Sequence, residues 1–131
     1  MKIARLTPDQ KLLRRRIIEV SYQNGLSHLG SNLSAVDLVY AAYAVKGRRG
    51  RFVLSNGHAG LALYVVLERR GILEGSTLSG LSIHPDRDPA LGISVSTGSL
   101  GQGLVIALGM ALADRSRTVY CVASDGECAE G

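Results

Sequence analysis

Two short β-type runs, each next to a helical segment, constrain the fold of this chain most strongly. TVYCVAS at 118–124 is a continuous apolar run, which is typical of a central parallel strand buried on both faces. RFVL at 51–54 precedes the helical segment AGLALYVVLERRG at 59–71, and LVIALGMALAD at 104–114 also has helical spacing. Residues 72–92 lack such spacing and predict a long loop over a site. This order predicts an α/β fold with an open, mostly parallel sheet flanked by helices.

Capping signals predict two further helices near the start of the chain. TPDQ at 7–10 begins the first one, because Thr caps it, Pro takes its first position and Gln completes a capping box. Asn24-Gly25 ends that helix. A second helix is predicted to begin at Ser34, with Asp37 as its capping-box partner, and to run towards Gly47.

The length and composition predict one compact domain. The chain has 131 residues, of which 46% are hydrophobic and 20% charged, as in ordinary globular proteins. The longest apolar run, LVIAL at 104–108, is too short to span a membrane, and no signal peptide is evident. We therefore expect residues 1–131 to form a single cytoplasmic domain, with Cys121 and Cys128 as free thiols.

The charge distribution raises the question of nucleic-acid binding. Residues 1–70 contain 12 Lys or Arg and 4 Asp or Glu, whereas residues 71–131 contain 3 and 7. However, the three consecutive arginines at 14–16 would point in different directions on a helix, and no aromatic residues are interleaved to stack bases. A solvated basic surface is the preferred interpretation, and no nucleic-acid partner is expected.

Polar residues follow both predicted strands. His58 in SNGH follows the first strand and Asp125 in SDGE follows the last, so both should lie at the carboxyl edge of the sheet. The Asp125 carboxylate is an oxygen ligand suited to Mg²⁺, and Gly126 would let the backbone approach a phosphate. These residues predict a metal and phosphate site at this edge.

The glycine-rich turn GSLGQG at 98–103 is a second candidate element of that site. Its backbone amides precede a helix and could cradle an anion. The spacing is not that of the dinucleotide fingerprint G-x-G-x-x-G, and the Lys-Ser/Thr ending of a nucleotide loop is missing. The alternative interpretation is that these glycines serve only close packing.

All three histidines of the chain, His28, His58 and His84, lie in turns flanked by Gly or Pro. None lies on an apolar helical face, so together they are candidates for acid–base chemistry or ligand contact. Joint ligation of a metal is the competing hypothesis, but the i, i+4 spacing of a zinc helix is not present.

Four sequence blocks resemble, in order, the thiamine-diphosphate-binding half of transketolase. They are SHLGSNLSAVDLVYAAY, RFVLSNGHAGLALYVVLERRGIL, HPDRDPALGISVSTGSLGQGLVIALGMALA and SDGECAEG. The resemblance extends from about Arg14 to Gly131. The variants SHLGS and GSLGQG are especially similar to the N-terminal subunits of split transketolases, in which the two halves are separate chains.

The resemblance implies a role for each candidate residue. His28 and His84 would act on the two-carbon donor as catalytic residues, and His58 would contact the diphosphate of the cofactor. Gly98 and Leu100 would touch its thiazolium and pyrimidine rings. Asp125 would bind Mg²⁺, Gly126 would lie against the diphosphate, and Glu130 would couple paired active sites.

The resemblance also implies what the chain would need in addition. Its substrates would be a ketose and an aldose, commonly as phosphates, and its partner would be the pyrimidine-binding half, in an oligomer. The second metal ligand of the family, an Asn, would lie beyond Gly131, so the domain looks truncated after its Asp-Gly motif. Ser124 also replaces the first glycine of the family's Gly-Asp-Gly.

Two alternatives remain at this point. One is another thiamine-diphosphate enzyme, similar to deoxyxylulose-phosphate synthase. The other is a non-catalytic interaction or scaffold module that keeps the fold without the metal site, which Ser124 and the missing Asn would both permit.

Overall fold

The computed structural model of the protein describes residues 5–130, apart from the side chain of Ser79. Within this range the chain forms four α-helices and two β-strands: α1 (Pro8–Asn24), α2 (Leu29–Val45), β1 (Arg51–Leu54), α3 (Gly60–Arg69), α4 (Gln102–Ala113) and β2 (Val119–Val122). Short 3₁₀ turns cover Gly57–Ala59, Gly75–Gly80 and Gly126–Ala129. Gly131, the last residue of the SDGECAEG stretch, lies outside the described residues.

Helix α1 begins and ends where the sequence predicts. The Thr7 hydroxyl accepts the Gln10 backbone N–H, and the Gln10 side chain accepts the Thr7 N–H at 2.8 Å. This reciprocal pair satisfies two backbone donors of the first turn. Gly25 ends the helix with a left-handed φ of 60°, a conformation that glycine adopts without a steric penalty.

Helix α2 begins at Leu29, so the predicted start at Ser34 is wrong. His28 occupies the N-cap position, and the Ser34 hydroxyl donates to the Gly30 carbonyl at 2.9 Å, one turn back within the helix. Asp37 caps nothing either, because its carboxylate accepts the Arg14 guanidinium at 2.8 Å. Ser34 and Asp37 therefore both lie within α2, and neither side chain caps its N-terminus.

The two strands pair in parallel, with Arg51 opposite Val119 and Leu54 opposite Val122. This confirms the predicted α/β architecture with a parallel sheet. The expectation that 118–124 would be buried on both faces is wrong, because only Val122 of β2 is buried while Val119, Tyr120 and Cys121 are half-buried. Within residues 5–130, β2 has a strand neighbour on one side only, which leaves its other edge less covered.

Helix α3 forms the centre of the hydrophobic core. Every residue from Gly60 to Leu67 is buried, and this helix contacts both α1 and α2. Helix α4 differs, since only Gly103 and Ala107 are buried. The core thus lies among α1, α2, α3 and β1, and α4 lies at its margin against the strands.

Candidate functional site

The segments that follow the two strands lie side by side at the carboxyl edge of the sheet. The Ser55 N–H donates to the Val122 carbonyl at 2.8 Å, which extends the pairing just beyond β1. His58 and Asp125 both line one cleft of about 510 Å³, together with Asn56 and Ser124. The prediction that His58 and Asp125 share this edge is confirmed. The first turn of α2, with Gly30 and Ser31, lines the same cleft.

His58 is the most enclosed of the three histidines. Its ring centroid lies 5.3 Å from that of His28. Burial lowers the pKa of His58, the positive charges that His28 and His84 can take lower it further, and Glu127 opposes this effect. Near neutral pH the His58 imidazole is therefore uncharged, with one nitrogen that donates a hydrogen bond and one that accepts.

His28 has an uncommon backbone conformation. Its φ of 63° makes it the single non-glycine residue with a positive φ among residues 5–130. Such residues cost about 1–3 kcal/mol and concentrate at functional sites. The left-handed turn at His28 starts α2 and places its ring beside His58.

His84 lies against the glycine-rich turn. A Cβ atom added to Gly98 would be 3.2 Å from the His84 ring, and the Thr97 N–H donates to the Pro85 carbonyl at 3.1 Å. His84, Thr97 and Gly98 line a second cleft of about 400 Å³ with Ser99 and Gln102. The predicted loop at 72–92 therefore brings its histidine to the edge of the site. Leu100, in the same turn, is exposed.

Close packing explains why some of these positions require glycine. A Cβ atom on Gly57 would come within 2.5 Å of the Thr97 carbonyl, and one on Gly101 would lie 3.0 Å from the Glu130 Cβ. These contacts bring SNGH, GSLGQG and the segment after β2 together. Close packing and a ligand site are therefore compatible at these positions.

Asp125 and Gly126 are both exposed, and the space around Gly126 is open. Asp125 lines the cleft of His58, but residues 5–130 contain no group of three or more His, Cys, Asp or Glu side chains that could hold a metal. Joint ligation of a metal by the three histidines therefore has no support within this range. Mg²⁺ commonly takes one or two carboxylates together with phosphate and water oxygens, so Asp125 fits as one such ligand.

Sequence reasoning missed Glu127, whose side chain is buried. Its carboxylate accepts the Ser55 hydroxyl at 2.8 Å, the Ser124 N–H at 3.0 Å and the Gly101 N–H at 3.2 Å. A signal was present, because Ser124 and Glu127 have the S-x-x-E spacing of a capping box. The contacts with Ser55 and Gly101 have no local signal.

Buried polar atoms without a partner also point to a ligand. Within the described part of the chain, three buried side-chain atoms have no hydrogen bond: Ser21 Oγ, Asn56 Oδ1 and Thr97 Oγ1. Asn56 lines the cleft of His58, and Thr97 lines that of His84. Because buried polar groups are normally paired, these two residues fit a polar group bound at the edge of the sheet.

The fold and the site define a ligand-binding α/β domain whose polar residues gather beyond the carboxyl ends of parallel strands. Residues 25–128 match the family model for the transketolase thiamine diphosphate binding domain. The chain belongs to this family, which confirms the resemblance drawn from the four sequence blocks.

Sequence similarity to known transketolases supports this assignment to the family. The chain is 34% identical to an apulose-4-phosphate transketolase subunit of Phocaeicola vulgatus, with 100% of this chain and 54% of that protein covered. It is 34% identical to the 6-deoxy-6-sulfo-D-fructose transketolase subunit SqwG of a Clostridium species, with 96% and 54% covered. Transketolase of Mycobacterium leprae is 33% identical, with 82% and 20% covered. The chain thus spans about half the length of both of these transketolase subunits.

Within residues 5–130, no helix has both the length and the apolar character that crossing a membrane requires. Cys121 and Cys128 are both free thiols, as predicted.

Proposed function

We propose that this chain is part of a transketolase that transfers a two-carbon ketol unit from a ketose or ketose phosphate to an aldose or aldose phosphate. The observation that carries the proposal is that His58 and Asp125 line one cleft at the carboxyl edge of the sheet. The His28 ring lies 5.3 Å from that of His58, and His84 is near enough for its positive charge to lower the pKa of His58. An interaction module has no need for three histidines and unpaired buried polar atoms at this edge.

Thiamine diphosphate would be held by five residues from three segments. His58, Asp125 and Gly126 would face its diphosphate, with Asp125 also binding Mg²⁺, while Gly98 and Leu100 would contact its rings. When bound, the cofactor supplies an electron sink for the cleavage of a carbon–carbon bond. The open space around Gly126 and the unpaired Asn56 Oδ1 support a polar ligand here.

The three histidines would have two different roles. His58, uncharged because its pKa is lowered, would donate one N–H to the diphosphate. The exposed His28 and His84 would hydrogen-bond the hydroxyls of the donor sugar and move protons during cleavage and transfer, as general acid–base groups do.

The chain would need a second subunit for activity. Two relatives of which it covers about half are themselves named as subunits, which supports a split enzyme whose pyrimidine-binding half is a separate chain. Residues 1–131 would form one partial domain in that cytoplasmic oligomer. Glu130, exposed beside Gly101, would couple paired active sites through carboxylate contacts.

Calorimetry with thiamine diphosphate tests this proposal. We expect weak, Mg²⁺-dependent binding to the chain alone, and tighter binding with ketol transfer when a pyrimidine-binding subunit is added. Asp125→Asn should weaken binding in the presence of Mg²⁺, while Glu74→Gln, which changes an exposed carboxyl beyond α3, should not. No binding with or without the added subunit, or equal binding by Asp125→Asn, would contradict the proposal.

A further inference from the structure

The Glu127 carboxylate joins three segments that are far apart in the sequence. Its side chain is buried, at 2% relative exposure. Oxygen Oε1 accepts the Ser55 hydroxyl and the Gly101 N–H, and Oε2 accepts the Ser124 N–H. Ser55 follows β1, Gly101 precedes α4 and Ser124 follows β2. One side chain therefore fixes the relative positions of all three segments.

Both oxygens of this carboxylate act as hydrogen-bond acceptors. The Gly101 and Ser124 backbone N–H groups can only donate, and a carboxylate accepts at both oxygens. A buried charge is costly unless it is hydrogen-bonded, and here both oxygens are bonded. A glutamine at this position would turn its NH₂ group towards one of the two N–H donors and leave that donor unpaired.

Each joined segment contains candidate cofactor residues. His58 lies three residues after Ser55, Gly98 and Leu100 lie just before Gly101, and Asp125 follows Ser124. Resting on the proposed function, we propose that Glu127 is a positioning residue that sets the spacing of these cofactor contacts without itself touching the cofactor. Groups that orient metal-binding residues in this way commonly contribute about 10- to 100-fold to metal affinity or activity.

Ser124 fits the same arrangement. Its hydroxyl lies 3.4 Å from Glu127 Oε2, in addition to the backbone N–H bond to the same oxygen. The residue that replaces the family's glycine therefore directs its side chain to Glu127. Its backbone does not need glycine, because its φ is not positive.

The test compares Glu127→Gln with a matched core variant, Val66→Ala. Val66 is fully buried in α3 and lies outside the three segments, so its truncation lowers stability without changing a Glu127 partner. Dissociation constants for thiamine diphosphate with Mg²⁺ are measured by NMR titration of the full chain, and stability by urea unfolding. Glu127→Gln should raise the dissociation constant about 10- to 100-fold and speed amide exchange at Gly101 or Ser124. Val66→Ala should bind as the wild type does.

The outcomes separate this inference from the proposed function. A wild-type chain that binds no cofactor, with or without the pyrimidine-binding subunit, overturns both. Wild-type binding with equal affinity for Glu127→Gln, or with equal losses in Glu127→Gln and Val66→Ala, overturns only the positioning role. If Glu127→Gln does not fold, Ser55→Ala, which removes a single donor, should still weaken cofactor binding several-fold, and unchanged affinity in that variant overturns the role.

Discussion

Gly103 lies directly against Ser55: a Cβ atom on Gly103 would be 2.6 Å from the Ser55 Cα. This contact joins the first turn of α4 to the end of β1, and it holds the glycine-rich turn beside SNGH. The contacted atom belongs to the backbone, so it cannot rotate away as a flexible side chain could. The absence of a side chain at position 103 is therefore a condition for assembling the site.

Gly103→Ala should destabilise the protein, because the added methyl group forces α4 away from β1. Overpacking of this kind costs about 1–3 kcal/mol, measured as the free energy of unfolding in urea. Gly109→Ala is the matched control, since it lies in the same helix and has nothing within 4 Å of the added Cβ. That variant should gain up to about 1 kcal/mol from helix propensity. Equal effects of the two substitutions would contradict the packing argument.

Local patterns in the sequence were sufficient to place most helices and strands. Helix α1 follows from its capping box and terminal glycine, and β1, β2 and α4 from apolar runs of the right length. The start of α2 was missed because His28 takes a left-handed conformation, which no local rule assigns to histidine. The incomplete burial of β2 was missed because burial depends on neighbours in space.

Only part of the candidate site was predicted, because some of its contacts depend on neighbours in space and not on local sequence. The sheet rule brought His58 and Asp125 to one edge, because that rule depends only on strand order. The role of Glu127 in joining separate segments was missed because its partner Ser55 is 72 residues away in the chain. The family model supports the thiamine diphosphate assignment, whereas the roles of the individual residues stay predictions.

The stability of the protein should depend on pH through His58. Its pKa is lowered in the folded state, so below the usual imidazole value of about 6.5 the unfolded chain binds more protons. Stability should therefore fall as the pH drops from about 7.5 to 5.5. His58→Asn should lessen this fall, as measured by urea unfolding at both pH values. A fall of equal size in both proteins would show that His58 does not contribute to it.

Alanine replacements should divide the histidines into two classes in the complex with the pyrimidine-binding subunit. His28→Ala or His84→Ala should lower kcat about 10²- to 10⁴-fold, as expected for acid–base groups, with little change in cofactor affinity. His58→Ala should weaken cofactor binding by about 1.5–3 kcal/mol. Steady-state kinetics at saturating cofactor and calorimetry distinguish the two effects. If all three variants lost only stability, with turnover per folded complex intact, the histidines would be structural.

The exposed face of α4 should make the isolated chain self-associate. Four apolar residues of α4 are 42–67% exposed: Leu104, Val105, Leu108 and Leu112. Counted from Leu104, the other three follow after one, four and eight residues, which places all four on one side of the helix. Contiguous apolar surface of this kind marks an association site. Sedimentation should show mass rising with protein concentration, and Val105→Lys with Leu108→Lys should shift the chain towards a monomer. Tyr22→Lys, which replaces an exposed aromatic residue on α1, should leave association unchanged, whereas a wild-type monomer at all concentrations would contradict the prediction.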